Sequence, residues 1–160
     1  SAASDLYKRQ HLMIEKPERK LDTIIDAGAD IITIHQESTT RLYSCIEKIK
    51  SRGVKAGVVL SPATNEDTLK YVLDKIDMIL LMTINPGEAG PGFHEELLTK
   101  IKNVRELIGD RDIDLEVDGG IDNTNIAKCK EAGVNVFVSG GYVFKGDIAE
   151  KIKTLREALK

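Results

Sequence analysis

Leu115-Glu116-Val117-Asp118-Gly119-Gly120-Ile121 is a short β-rich run that ends on one carboxylate and two glycines. Such a run sets Asp118 at the C-terminal end of a strand, where it can act as a base or hold a cation. Gly119 and Gly120 carry no side chains, so the backbone there can come close to a ligand, and a phosphate ester suits it best. Alone, Asp-Gly-Gly reads first as a plain strand-to-helix turn. Its meaning depends on what surrounds it.

Moving outward, short apolar runs alternate with amphipathic helical patterns. Strands are expected at His11–Ile14, Ile31–His35, Lys55–Leu60, Met78–Ile84, Ile113–Val117 and Val136–Val138. Helices are expected at Pro17–Ala27, Thr40–Arg52, Thr64–Leu73, His94–Ile108, Thr124–Ala132 and Asp147–Leu159. The Met78–Ile84 run is apolar throughout, which implies burial on both faces. Three helices close on related phrases, Ala27-Gly28-Ala29-Asp30, Arg52-Gly53-Val54-Lys55 and Ala132-Gly133-Val134-Asn135. In each, the glycine serves as a left-handed cap and the next strand follows at once. This internal repeat of βα units describes an α/β fold with a parallel sheet.

Composition narrows the class of partner. The 160 residues are 41% hydrophobic and 31% charged, enough for one domain over residues 1–160 with a sizeable core. The 23 basic residues lie scattered among 26 acidic ones, and the net charge is -3. No basic stripe argues for nucleic acid or an anionic membrane, so a small molecule is the expected partner. Cys45 and Cys129 lie far apart in helical patterns, without a zinc or disulfide framework. No run approaches the ~20 apolar residues that span a bilayer, and no leader pattern opens the chain, so the expected location is the cytoplasm.

In parallel α/β sheets the ligand sits at the C-terminal strand ends. Those ends carry His11 with Met13, His35 with Glu37, Leu60-Ser61-Pro62, Met82, Asp118-Gly119-Gly120 and Ser139-Gly140-Gly141. The loop Asn85–Phe93 holds Gly87, Gly90 and Gly92 with Pro86 and Pro91, the composition of an active-site lid. Gly140-Gly141 precedes a short helical turn whose N–H groups can face a phosphate. His35 is read as filling the mouth of the sheet, and His94 as a surface residue.

His11-Leu12-Met13-Ile14, Gly28-Ala29-Asp30-Ile31-Ile32-Thr33-Ile34-His35, Gly53-Val54-Lys55-Ala56-Gly57-Val58-Val59-Leu60-Ser61-Pro62-Ala63-Thr64, Met82-Thr83-Ile84-Asn85-Pro86-Gly87, Glu116-Val117-Asp118-Gly119-Gly120-Ile121 and Val138-Ser139-Gly140-Gly141 together resemble the ribulose-phosphate 3-epimerase family. The resemblance runs in order from His11 to about Phe144. It implies a TIM (β/α)8 barrel, of which the chain supplies about six βα units, strands three to eight. It implies a divalent metal, zinc, iron or manganese, which mixed His/Asp ligation does not distinguish. Carried over by position, His11 and Asp118 are metal ligands, Asp118 is also a catalytic acid or base, and Met13 and Met82 line the reacting carbons. Gly87, Glu88, Ala89 and Gly90 match the lid, and Gly119, Gly120, Gly140 and Gly141 match the phosphate-binding backbone.

The implied reaction is inversion at carbon 3 of a ketose phosphate, with D-ribulose 5-phosphate as the first substrate and allulose 6-phosphate the alternative. The family's second-strand His-Val-Asp-Val-Met-Asp-Gly-like motif, which brings a second aspartate, is absent from the sequence. Residues 1–10 resemble a first-strand exit, and Tyr7-Lys8-Arg9-Gln10 is too polar for a barrel strand. A missing segment of roughly fifty residues between Gln10 and His11 follows as an expectation, from the usual length of a βα unit. Glu88 stands where the family more often has an aromatic residue and is expected to face solvent or a sugar hydroxyl. Gly141 replaces a frequent serine. A decarboxylase or synthase of the same barrel superfamily would place a catalytic lysine at a strand end, whereas Lys55 begins its strand. The non-enzymatic alternative is a barrel fragment completed by a partner chain or by self-association into a homo-oligomer.

Overall fold

The computed structural model describes residues 7–88 and 92–160. Ala89 and Gly90 of the expected lid, and residues 1–6 of the expected first-strand exit, lie outside the described residues. Six strands, β1 (Arg9–Leu12), β2 (Ile31–His35), β3 (Lys55–Leu60), β4 (Met78–Met82), β5 (Asp114–Asp118) and β6 (Val136–Val138), form one sheet. Every neighbouring pair is parallel, and spatial order follows chain order. The connections hold α1 (Leu21–Asp26), α2 (Leu42–Ser51), α3 (Leu97–Ile108), α4 (Ile126–Ala132) and α5 (Gly140–Val143), and α6 (Ile148–Ala158) follows. Among the described residues no helix is long and apolar enough to cross a membrane.

Side chains alternate between the two faces of a strand. Ile32, Ile34, Val58, Leu60, Ile79, Leu81, Leu115 and Val117 point to the helices and join Leu21, Ile46, Ile49, Ile101 and Val104 in the main core. The other face carries Thr33, His35, Gly57, Val59, Leu80, Met82, Glu116 and Asp118, with Val59, Leu80 and Met82 forming a second, smaller cluster. That second face is curled inward. Arg9 on β1 donates a hydrogen bond to Glu116 on β5, yet four strand intervals on a flat sheet would separate them by about 19 Å. The sheet is therefore part of a barrel wall, and its free edges among the described residues are β1 and β6.

Most expected elements are present, with instructive shifts. The repeated glycine caps hold, since Gly28, Gly53 and Gly133 have φ of 85°, 73° and 116°. β1 begins two residues before the expected strand and ends before Met13, so the polar Arg9 and Gln10 are strand residues after all. Arg9 is accommodated because its inward side chain meets Glu116. Gln10 and His11 sit in β1 with unbroken register against Ile32 and Thr33. β4 ends at Met82, where Thr83 begins the turn.

The expected helix Thr64–Leu73 is instead two short 3-10 segments, Glu66–Leu69 and Leu73–Lys75. Asn65 accepts from the Asp67 N–H at 2.7 Å, and the Thr68 hydroxyl donates to the Asn65 carbonyl at 2.9 Å. These local bonds compete with helical ones. Pro17–Arg19 is likewise a 3-10 turn, so α1 starts only at Leu21. α3 starts at Leu97, after two turn bonds to His94 and Glu95.

Candidate active site

β5 delivers Asp118 to the rim and the next turn pins it. Thr83, just past β4, donates its N–H to the Asp118 carbonyl at 2.8 Å and its hydroxyl to the carbonyls of Asp118 and Gly119. Gly119 (φ 123°) packs so tightly that a Cβ would lie 2.6 Å from Ile84 Cγ1, and one on Gly120 (φ 66°) would lie 2.8 Å from the Phe93 nitrogen. No other residue fits either position. Asn125, almost buried, braces this turn by donating to the Gly120 carbonyl at 2.8 Å and accepting from the Asp122 N–H at 3.0 Å. Burial pushes the Asp118 carboxyl above the usual carboxylate range, and Arg9 works against that rise. A carboxyl so placed is suited to exchanging a proton with a bound ligand.

Glu116 lies two residues earlier on the same face and is fully buried. Burial raises its carboxyl too, while the hydrogen bond and charge of Arg9 oppose the shift. The interior beneath Asp118 is thus polar, with Arg9 and Glu116 joined across it.

His11, two residues beyond Arg9, meets His35 at the end of β2. Their Nε2 atoms are 2.7 Å apart, with ring centroids 4.9 Å apart and ring planes within 20° of each other. Burial lowers the His11 pKa to about 4, helped by His35 and Arg9. Burial also lowers His35, although Glu37 pulls the other way. Both imidazoles are neutral at neutral pH, the state that binds a metal or accepts a proton.

Glu37 is fixed from across the β2–β3 junction. Its Oε1 accepts the Ser61 N–H at 2.8 Å and the Thr64 hydroxyl, while its Oε2 lies 3.6 Å from His35 Nδ1. Burial alone would raise its pKa, but the bonds from Thr64 and Ser61 and its own backbone outweigh it and keep the group ionised. Ser61 is held in turn by Lys100 of α3, whose Nζ donates to the Ser61 and Pro62 carbonyls at 2.9 and 3.1 Å.

The rim opens into a cleft of about 570 Å³ lined by Met13, His35, Glu37, Ser61, Pro86 and Gly87, among others. Met13 is 60% exposed at its mouth, whereas Met82 is buried and pairs in register with Asp118. Asp118 does not line that cleft. Glu88 is exposed and turned back on Asn85, whose side-chain amide donates to it at 3.3 Å. Gly140 and Gly141 open α5 into free space, with no atom within 4 Å of where a Cβ would stand. His94 is exposed beside Glu96.

The structure thus joins His11 to His35, a pairing the strand-end pattern leaves unstated. Arg9, Glu116 and Lys100 are further parts of the site that motif reading passes over. Glu116 was legible as the residue two before Asp118 on the same face; Lys100 leaves no local signal.

The architecture matches solved barrels. The crystal structure of 3-hexulose-6-phosphate synthase superposes with a TM-score of 0.77 over 99% of this chain and 76% of that one, at 23% identity. That of 3-keto-L-gulonate-6-phosphate decarboxylase from Vibrio cholerae gives 0.75 over 94% and 71%, at 18% identity. At such identities the likeness is one of fold. In sequence, the chloroplastic ribulose-5-phosphate-3-epimerase of Arabidopsis thaliana is 42% identical over 158 residues, covering 96% of this chain and 56% of that protein.

The ribulose-phosphate 3-epimerase of Bacillus subtilis is 41% identical over 157 residues, 96% of this chain and 72% of that protein. The chain spans little more than half of the first relative's length. Residues 2–144 match the model of the ribulose-phosphate 3 epimerase family, and the chain belongs to that family.

Proposed function

We propose that the protein is part of a carbon-3 epimerase of a ketose phosphate, with D-ribulose 5-phosphate and D-xylulose 5-phosphate as the interconverted pair. The observation that carries this reading is Asp118, a half-buried carboxyl of raised proton affinity, fixed on a strand end beside glycine backbone in a chain of this family. The hydrogen on carbon 3 is acidified by the neighbouring ketone, and its loss leaves an enediolate. Asp118 takes or returns that proton on one face. Gly119-Gly120 and Gly140-Gly141 offer backbone to the phosphate, and Met13 and Met82 shield the apolar side of the sugar.

The residues fit a divalent cation in kind. His11 is a neutral imidazole and Asp118 a carboxylate on the same rim, and these two would hold it; among the described residues no three His, Cys, Asp or Glu converge. Zinc, iron and manganese all accept such donors. When bound, the cation offsets the negative charge that builds on oxygen as the proton leaves.

Inversion needs a second acid–base group on the opposite face. Asp118 is the sole aspartate ending a strand among the described residues. The chain with added Mn2+ is therefore expected to wash deuterium from heavy water into carbon 3 of D-ribulose 5-phosphate with little net epimerisation. Asp118→Asn should slow that exchange by about 10²–10⁴-fold. Exchange that survives the substitution, or that never occurs in the unaltered protein, would remove the basis for this reading.

A further inference from the structure

Glu37, His35 and His11 stand in a row from β2 to β1. His35 Nδ1 faces Glu37 Oε2 at 3.6 Å, and His35 Nε2 faces His11 Nε2 at 2.7 Å. A neutral imidazole carries one N–H and one lone pair, so each contact constrains the next. Toward a carboxylate, a nitrogen bearing a proton is attracted and one bearing a lone pair is repelled. His35 is therefore protonated on Nδ1 and presents a lone pair at Nε2. A nitrogen–nitrogen contact of 2.7 Å requires one proton between the two atoms. That proton belongs to His11 Nε2.

By elimination, the free lone pair of His11 is on Nδ1. We propose that Glu37 and His35 are positioning residues that lock His11 in its Nε2–H tautomer and so present His11 Nδ1 as the ligating atom of the site. The proposal rests on the epimerase reading only for what meets that lone pair. The lock is itself anchored, because Glu37 Oε1 is held by the Ser61 N–H and the Thr64 hydroxyl, and Ser61 by Lys100. Partners of this kind, carboxylate behind imidazole, set the orientation and basicity of a ligating histidine.

The metal-free protein labelled with 15N-histidine is the test, read by long-range 1H–15N correlation of the imidazoles at pH 7.5. His11 is expected to show a protonated Nε2 and a bare Nδ1, and His35 the reverse. Glu37→Gln keeps the side chain's shape. Its oxygen remains on the Ser61 N–H, which turns the amide N–H groups toward His35 Nδ1, so both tautomers should invert. Glu37→Leu removes the bias and should leave both rings mixed. Cobalt(II) affinity should fall by about 10–100-fold in Glu37→Gln. A His11 found protonated on Nδ1, or a pattern indifferent to Glu37→Gln, overturns the proposal whatever the activity. The expected tautomers in a protein that exchanges no carbon 3 proton would sink the epimerase reading and uphold the lock.

Discussion

Gly119 and Gly141 are both glycines of the rim, and the backbone makes opposite demands on them. Gly119 has φ 123°, a conformation L side chains rarely adopt, and a Cβ there would press 2.6 Å from Ile84 Cγ1 and 2.8 Å from the Ile84 nitrogen. The strand end and the turn resist shifting, because Thr83 holds the carbonyls of Asp118 and Gly119 together. Gly119→Ala is expected to cost about 2–4 kcal/mol from backbone strain and overpacking combined. Gly141, whose Cβ would meet nothing within 4 Å, should accept Ala within about 0.5 kcal/mol. Thermal unfolding of the two variants checks the contrast, and equal midpoints would show that the Asp118 turn is not held as tightly as its contacts imply.

At the scale of elements, α3 does more than cover the sheet. Its Lys100 reaches through to the carbonyls of Ser61 and Pro62 and is only 9% exposed. Burial lowers its pKa, with Glu66 and Glu37 opposing, so part of the gain is spent in desolvation. Lys100→Met keeps the aliphatic stem and leaves two carbonyls to water, which should cost about 1–2 kcal/mol and lower the thermal midpoint by about 2–8 °C. A midpoint that rises would mean the ammonium is a net burden. Which elements were legible follows from where their partners lie. β4 declares itself because Met78–Met82 is apolar on both faces, and Asp118 with its glycines because a strand end is a local pattern. β1 does not, since Arg9 makes sense only beside Glu116, 107 residues away. The Thr64–Leu73 stretch misled because side-chain to backbone bonds at Asn65 and Thr68 outweigh its apolar spacing. The His11–His35 contact follows from strand register, which periodicity does not encode.

At the scale of the whole molecule the governing fact is a parallel sheet that, among the described residues, has two free edges. A parallel strand depends on neighbours on both sides, and unpaired edges invite association. β3 and β4 have a strand on each side and the helices behind, while among the described residues β1 and β6 each have one neighbour, and all three β6 residues are only partly buried. Local opening free energies should follow that gradient. In hydrogen exchange the amides of Val58, Val59, Ile79 and Leu80 are expected to be slower than those of Gln10 and Phe137 by on the order of a hundredfold or more. The Arg9–Glu116 tie should make β1 the better protected of the two edges, because it fastens β1 to the far wall. Uniform protection across β1 to β6 at high protein concentration, collapsing on dilution, would show instead that the edges are covered by a second copy of the chain.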